Sequence, residues 1–453
     1  MWEAGVSYCA CSRACHRRSR ESVCCLHAEQ VVNSANDGAA AETAAADQAA
    51  PQQADHIEVN VIETRDEYLQ AVGVIAAGTG PIAIDAERAS GYRYSQRAYL
   101  IQIYRRGAGT FLFDPPAIGS FSELNDVIAS EEWILHAASQ DLTCLREVGL
   151  DPTRLFDTEL AARLAGLPRV GLGAVVEDLL GIHLAKEHSA ADWSTRPLPQ
   201  SWLVYAALDV ELLVDLREEL AKVLERDGKT GIADEEFSSV LTRDFVIVRQ
   251  EPWRRLSGVH AIRGGRNLAI ARELWQSRDA YAREIDTAPG RLVPDSALVA
   301  AARMPPESKR DLAGLKEFTG RASRSQIDRW WNAIQAGMAS DDLPVLRVAG
   351  DVLPPPRVWS DKNPDADKRL KIARARIAEV AAEMSIPVEN MLTPELLRRV
   401  AWNPPVLAGQ ASIAGALAEL GARAWQVDAT SQVIADAFVE ASQTPEQSPE
   451  SES

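Results

Sequence analysis

From residue 57 onward the apolar positions come in short runs bounded by turn residues. Ile57–Ile62 alternates apolar and polar side chains, the period of a half-buried strand. Ile82-Ala83-Ile84-Asp85 follows a Gly80-Pro81 turn. The runs Tyr99–Tyr104 and Thr110–Phe113 flank Arg105–Gly109, which predicts a β-hairpin. Trp133-Ile134-Leu135-His136 predicts a buried strand leading into a helix over about Ser139–Val148. Further helices are predicted over Thr158–Ala165, Leu172–Leu180 and Gln200–Arg226. Strands first, then strands alternating with helices, predict an α/β domain with a mixed sheet.

Past residue 245 the strand pattern fades. Asn267–Ile285 carries Leu268, Ala271, Leu274 and Trp275 at helical spacing. Shorter helices follow over Pro294–Ala302, Lys309–Lys316 and Ser325–Ala336, with Trp330 and Trp331 expected in their core. After Leu353-Pro354-Pro355-Pro356 a second helical block is predicted: Asp367–Met384, Thr393–Ala401 and Ile413–Val439. Both blocks run long helix, loop, short helix opening on Pro-Asp or Pro-Glu (Pro294-Asp295, Pro394-Glu395), Pro-Pro break and final helix. That layout is consistent with two copies of one module. The organisation expected is a disordered leader (1–54), an α/β domain (55–230), a helical domain (245–340), a Pro-rich linker (341–366), a second helical domain (367–440) and a disordered tail (441–453).

Composition narrows the class. The 453 residues are 46% apolar and 25% charged, a globular mix. No run of about 18 apolar residues is present, so no membrane partner is expected. The net charge of −17 would by itself argue against a phosphate-rich partner. The charge is uneven, however. Residues 55–219 hold 13 basic and 26 acidic residues, whereas residues 243–340 hold 17 and 11. An acidic part beside a basic one fits a two-part machine better than a uniformly acidic protein. Of the six cysteines, Cys9, Cys11, Cys15, Cys24 and Cys25 lie near the start, and only Cys144 lies further on. A disulfide framework for the folded body is excluded, which favours a reducing, cytoplasmic setting. The early cysteines and His27 match no paired zinc-binding spacing.

Candidate chemistry lies in acidic residues. Asp85 and Glu87 are two apart on a strand and therefore share a face. Two adjacent carboxylates repel unless a cation neutralises them or one is protonated, so the pair is either a seat for a divalent metal or a solvated strand end. Asp141 falls at a helix start, where it either binds metal or stabilises the helix dipole. Tyr205 and Asp209 lie four apart on one face of an apolar helix, where a buried acid is costly without a partner.

The order Asp85-x-Glu87, Asp141, Tyr205-x-x-x-Asp209 resembles the DEDD superfamily of 3′–5′ exonucleases. It fits the Tyr-bearing branch and, within that, the ribonuclease D family. Lys186-Glu187-His188-Ser189-Ala190-Ala191-Asp192-Trp193 leading into Tyr205-Ala206-Ala207-Leu208-Asp209-Val210, and His136-Ala137 ahead of Asp141, reinforce the resemblance. The helical blocks resemble the helicase-and-RNase-D C-terminal (HRDC) domain, the second more distantly.

This resemblance implies a ribonuclease-H-like α/β exonuclease domain followed by two small all-α HRDC-like domains. It implies an enzyme that hydrolyses RNA from the 3′ end to nucleoside 5′-monophosphates, in tRNA or other structured-RNA processing, as a monomer. A DNA exonuclease in repair, or a silent RNA-binding scaffold, are the alternatives. Two divalent cations, Mg²⁺ or Mn²⁺, would be held by Asp85, Glu87, Asp141 and Asp209, and Tyr205 would orient the attacking water. Gln102, His136, Lys186, Ser189, Trp193, Arg263 and Arg266 are candidate substrate contacts. Arg93, Arg97, Arg105 and Arg106 are either phosphate contacts or solvated surface, and the run Arg254, Arg255, Arg263, Arg266, Arg272, Arg278, Arg283 is a grip on phosphates if it shares one face. Arg88, directly after Glu87, stands where the family pattern leads one to expect an apolar residue. That departure bears on substrate contacts rather than on metal ligands.

Overall fold

The computed structural model describes residues 60–184, 188, 190–243, 245, 249–318, 320–346, 353–407 and 409–443. The expected leader with its cysteines, residues 444–453 of the tail, residues 347–352 of the link between the helical blocks, and Lys186 and Ser189 lie outside these residues.

Six strands form one mixed sheet: β1 Val61–Ile62, β2 Thr79–Arg88, β3 Ala98–Arg106, β4 Gly109–Phe113, β5 Glu132–Leu135 and β6 Arg154–Asp157. Their order is β1-β4-β3-β2-β5-β6. β3 runs antiparallel to β2 and β4 as the hairpin pattern predicts, and the other pairs are parallel. β6 is short and carries no alternation long enough to stand out in the sequence. The sheet core gathers Ile82, Ile84, Phe113, Trp133 and Ile134 with Tyr68 and Ile75 of the helix Arg65–Ala77.

The helix expected over Gln200–Arg226 is two helices, Gln200–Glu211 and Leu213–Arg226, meeting at Leu212. The first packs across β2, β3 and β4, and the second across β2 and β5. One straight rod could not follow both parts of a twisted sheet. A further helix, Thr230–Thr242, packs on β6 with Phe237 against Phe156.

The two helical blocks repeat with a constant offset. Helices Gly265–Glu284, Pro289–Leu292 and Asp295–Arg303 of the first correspond to Pro364–Glu383, Val388–Met391 and Pro394–Trp402 of the second, each 99 residues later. The corner after each long helix carries a left-handed residue, Asp286 (φ 45°) and Ser385 (φ 50°), at the same offset. The first block has its own core around Trp253, Leu274, Phe318 and Trp330. Its long helix crosses Ile327–Ala339 so closely that a Cβ on Gly337 would meet the Ile270 Cα at 2.5 Å. Among the described residues no helix is long and apolar enough to cross a membrane.

Candidate active site

Alternation along β2 sends Ile82, Ile84 and Ala86 to one face and Ala83, Asp85 and Glu87 to the other. β2 pairs with β5 only through Ile82↔Trp133 and Ala83↔Ile134. Asp85 and Glu87 therefore stand beyond this parallel pairing, where β2 and β5 part and open a crevice at their carboxyl ends.

Across the crevice the chain leaving β5 turns at Ala137, a left-handed residue (φ 62°), and delivers Asp141 to the start of helix Leu142–Glu147. Asp157, at the end of β6, holds this turn. Its carboxylate accepts the N–H groups of Ala137 at 3.0 Å and Ala138 at 2.9 Å, and caps helix Thr158–Leu164 through the N–H groups of Glu159 and Leu160. Burial pushes the Asp157 carboxyl up to about 6, against the opposing pull of those N–H groups. Sequence reasoning missed Asp157. An acid directly before a helical pattern is an N-cap signal that could have drawn attention to it.

The third element is helix Gln200–Glu211, lying over the same sheet face through Leu203, Ala206 and Ala207 against Leu100 and Leu112. It brings Tyr205 and Asp209 down one turn apart. Asp85, Glu87 and Asp209 each offer a carboxylate oxygen within 4.8 Å of the others, a group close enough to share one cation. Tyr205 hydrogen-bonds to the Asp209 carboxylate. Asp141 is buried and faces Arg88, whose Nη2 lies 3.6 Å from its Oδ1. All five predicted residues line one cavity of about 400 Å³ together with Arg88, His136 and Gln140.

The electrostatics follow from crowding. Burial pushes every one of the four carboxyls up. Glu87 reaches about 10, driven by burial and then by the charges of Asp85, Asp209 and Asp141. Asp209 reaches about 8, through burial and then Asp85. Asp85 and Asp141 rise mainly by burial, with Arg88 pulling both down. Burial and the neighbouring acids raise the Tyr205 phenol above its ordinary range, so it stays protonated. Arg88, read in the sequence as bearing on substrate contacts, is the cation beside Asp141.

The structure treats the other candidates differently. Gln102 is fully buried in register with Asp85, at the floor of the site rather than on its open surface. Trp193 is likewise fully buried, edge-on to Trp202 at 5.3 Å, and is core rather than a substrate contact. His136 lines the cavity with Nδ1 2.9 Å from the Thr158 hydroxyl, and burial holds it down to about 4, so it is a neutral wall residue. Arg263 and Arg266 sit in the first helical block. Arg263 donates to the His260 and Ile262 carbonyls, and Arg266 to the Ser340 and Gly337 carbonyls that close helix Ile327–Ala339.

The basic residues do not form one free face. Arg105 is buried and bound to Ile75 O and Glu131, and Arg106 is bound to Asp215 and Glu218. Arg254 pairs with Glu251, Arg272 with Asp342, and Arg278 is buried on Asp295. Their charge is spent on internal partners.

A mixed sheet carrying three sheet-side acids and a Tyr-x-x-x-Asp helix over its open crevice defines a 3′–5′ exonuclease of the DEDD class. The comparisons agree. Residues 59–225 match the family model for a 3′-5′ exonuclease, residues 267–334 that for the HRDC domain, and residues 352–438 that for a 3′ to 5′ exonuclease C-terminal domain. The second helical block thus answers to a family model of its own. The chain is 30% identical over 340 residues to Ribonuclease D of Jannaschia sp. (strain CCS1), covering 72% of this chain and 86% of the relative. It is 32% identical over 343 residues to Ribonuclease D of Zymomonas mobilis, covering 72% and 85%. The crystal structure of Escherichia coli RNase D, described as an exoribonuclease involved in structured RNA processing, superposes with a TM-score of 0.61 at 26% identity, over 80% of this chain and 98% of that one. The chain belongs to the ribonuclease D family, the 3′–5′ exoribonucleases.

Proposed function

We propose that this chain trims structured RNA from its 3′ end, releasing nucleoside 5′-monophosphates with the help of two divalent cations. The observation that carries the reading is the meeting of Asp85, Glu87 and Asp209 within 4.8 Å, with Asp141 on the opposite wall. The donor set fits the group. Four crowded carboxylates, Asp141 buried and the other three part-buried, offer hard oxygen ligands, and their mutual repulsion, balanced among the described cavity residues by Arg88, is the environment a hard dication relieves.

Asp85, Glu87 and Asp209 would hold one cation, and Asp85 with Asp141 the other. Bound there, such cations supply Lewis acidity toward the scissile phosphate and the attacking water. Tyr205, kept as a phenol and tethered to Asp209, orients that water through its hydroxyl rather than removing its proton. Arg88 presents a guanidinium at the edge of the cavity, suited to a phosphate oxygen.

The test is digestion of 3′-hydroxyl RNA and DNA oligomers of one sequence with Mg²⁺ or Mn²⁺ present or chelated. Metal-dependent release of mononucleotides from RNA, lost in Asp85→Ala and Asp209→Ala, is the expected result. Faster digestion of DNA would move the reading to repair. Undiminished activity in either variant would sink it.

A further inference from the structure

The segment joining the catalytic strand β2 to β3, residues 89–97, is gripped from two sides. On the exonuclease side the Tyr92 hydroxyl donates to Ala190 O at 3.4 Å, and Arg93 Nε to Ser194 Oγ at 2.8 Å, just ahead of the helix that carries Tyr205. From the other side comes the corner after the long helix of the first helical block. Asp286 accepts the Ser95 N–H at 2.8 Å and the Tyr99 hydroxyl at 3.2 Å, and lies 3.8 Å from Arg97. Ala288 N–H donates to Tyr92 O at 3.0 Å. Arg291 donates to Gly91 O at 2.7 Å and stacks on the Tyr92 ring.

The backbone of Asp286 sharpens the point. Its φ of 45° is the left-handed conformation that glycine adopts freely and that commonly ends a helix. An aspartate here carries a conformational cost, and its carboxylate makes the contacts just named. The equivalent corner of the second block also docks on the exonuclease domain. There the Ser385 carbonyl accepts Lys229 Nζ at 3.2 Å and lies where a Cβ on Gly166 would stand 2.6 Å away. Both corners dock, but only the first carries a carboxylate and lands on the segment leaving Glu87 and Arg88.

We propose that Asp286 is a positioning residue for the exonuclease site: from the first helical block it fixes residues 89–97 and, through them, the Arg88 end of β2 and the segment ahead of Tyr205. This role rests on the exonuclease reading above. It makes the helical block part of the machinery that shapes the site, acting on turnover as well as on substrate grip.

The test uses the full chain with Asp286→Gly and Asp286→Asn. Three quantities are followed: hydrogen exchange of residues 89–97, the thermal midpoint, and kcat and KM on a short 3′-hydroxyl RNA. Glycine suits the left-handed backbone, so Asp286→Gly keeps the wild-type midpoint. It speeds exchange at the Ser95 amide and lowers kcat about tenfold, the scale of lost charge-assisted hydrogen bonds, with KM unchanged. Asp286→Asn keeps an acceptor for the Ser95 N–H and restores most of the rate. Faster exchange with wild-type kcat, unchanged exchange, or a loss confined to KM would each overturn the proposal. Wild-type protein inert on RNA would instead overturn the exonuclease reading, and the exchange measurement tells the two failures apart.

Discussion

Arg88 sets its guanidinium 3.6 Å from the Asp141 carboxylate, so the crevice contains a cation of its own beside the acid that lies apart from the Asp85, Glu87 and Asp209 group. At equal distance a dication feels this charge twice as strongly as a proton does. Removing it therefore favours metal more than it favours protonation of Asp141. Arg88→Met is expected to tighten Mn²⁺ binding about tenfold, measured by calorimetry at pH 8. Unchanged or weaker binding would show that Arg88 does not compete for the site.

Proton binding in the site has a definite sign. The folded, metal-free protein keeps Asp209 protonated up to about 8 and Glu87 up to about 10, whereas the unfolded chain releases these protons near 4. Between those limits the folded state binds more protons, so stability falls as pH rises. With chelator present the thermal midpoint is expected to drop between pH 6 and pH 9. Saturating Mn²⁺ or the Glu87→Gln substitution flattens the curve. A metal-free midpoint that rises over this range would contradict the arrangement.

Tyr205 hydrogen-bonds to Asp209 and remains a phenol. Tyr205→Phe removes only the hydroxyl. It is expected to lower kcat by about a hundredfold, in the range of one positioned proton-bearing group, while Mn²⁺ affinity changes little. Single-turnover digestion alongside metal titration separates the two effects, and a parallel loss of metal binding would assign the residue to the ligand shell instead.

Asp157 accepts four backbone N–H groups, two of them in the turn that delivers Asp141. Asp157→Ala leaves buried donors without partners and costs about 2–4 kcal/mol of stability in denaturant titration. Activity in the folded fraction also falls, because Asp141 loses its fixed approach. Full activity in that fraction would show that the turn holds its shape without Asp157.

Much of this was legible from residue order. The hairpin, the mixed sheet and both helical blocks follow from periodicity, because each period is set within one element. The share of acids and phenol on common faces follows the same way: Asp85 with Glu87 by alternation, Tyr205 with Asp209 by the helical turn. Less local features escaped. The break at Leu212 reflects the twist of a sheet assembled from distant segments. β6 is too short to show a period, and its Asp157 acts on a turn 20 residues earlier.

Residue type and spacing thus determined which side chains could bind metal and which face each would occupy, since covalent geometry imposes both. Only the tertiary structure decided what met those faces. It buried Gln102 and Trp193 beneath the site, turned Arg88 toward Asp141, and spent Arg105, Arg266 and Arg278 on internal partners. It also brought Asp286 onto the segment that follows Glu87. Contacts between elements far apart in the chain depend on how whole faces pack, and no local period encodes that.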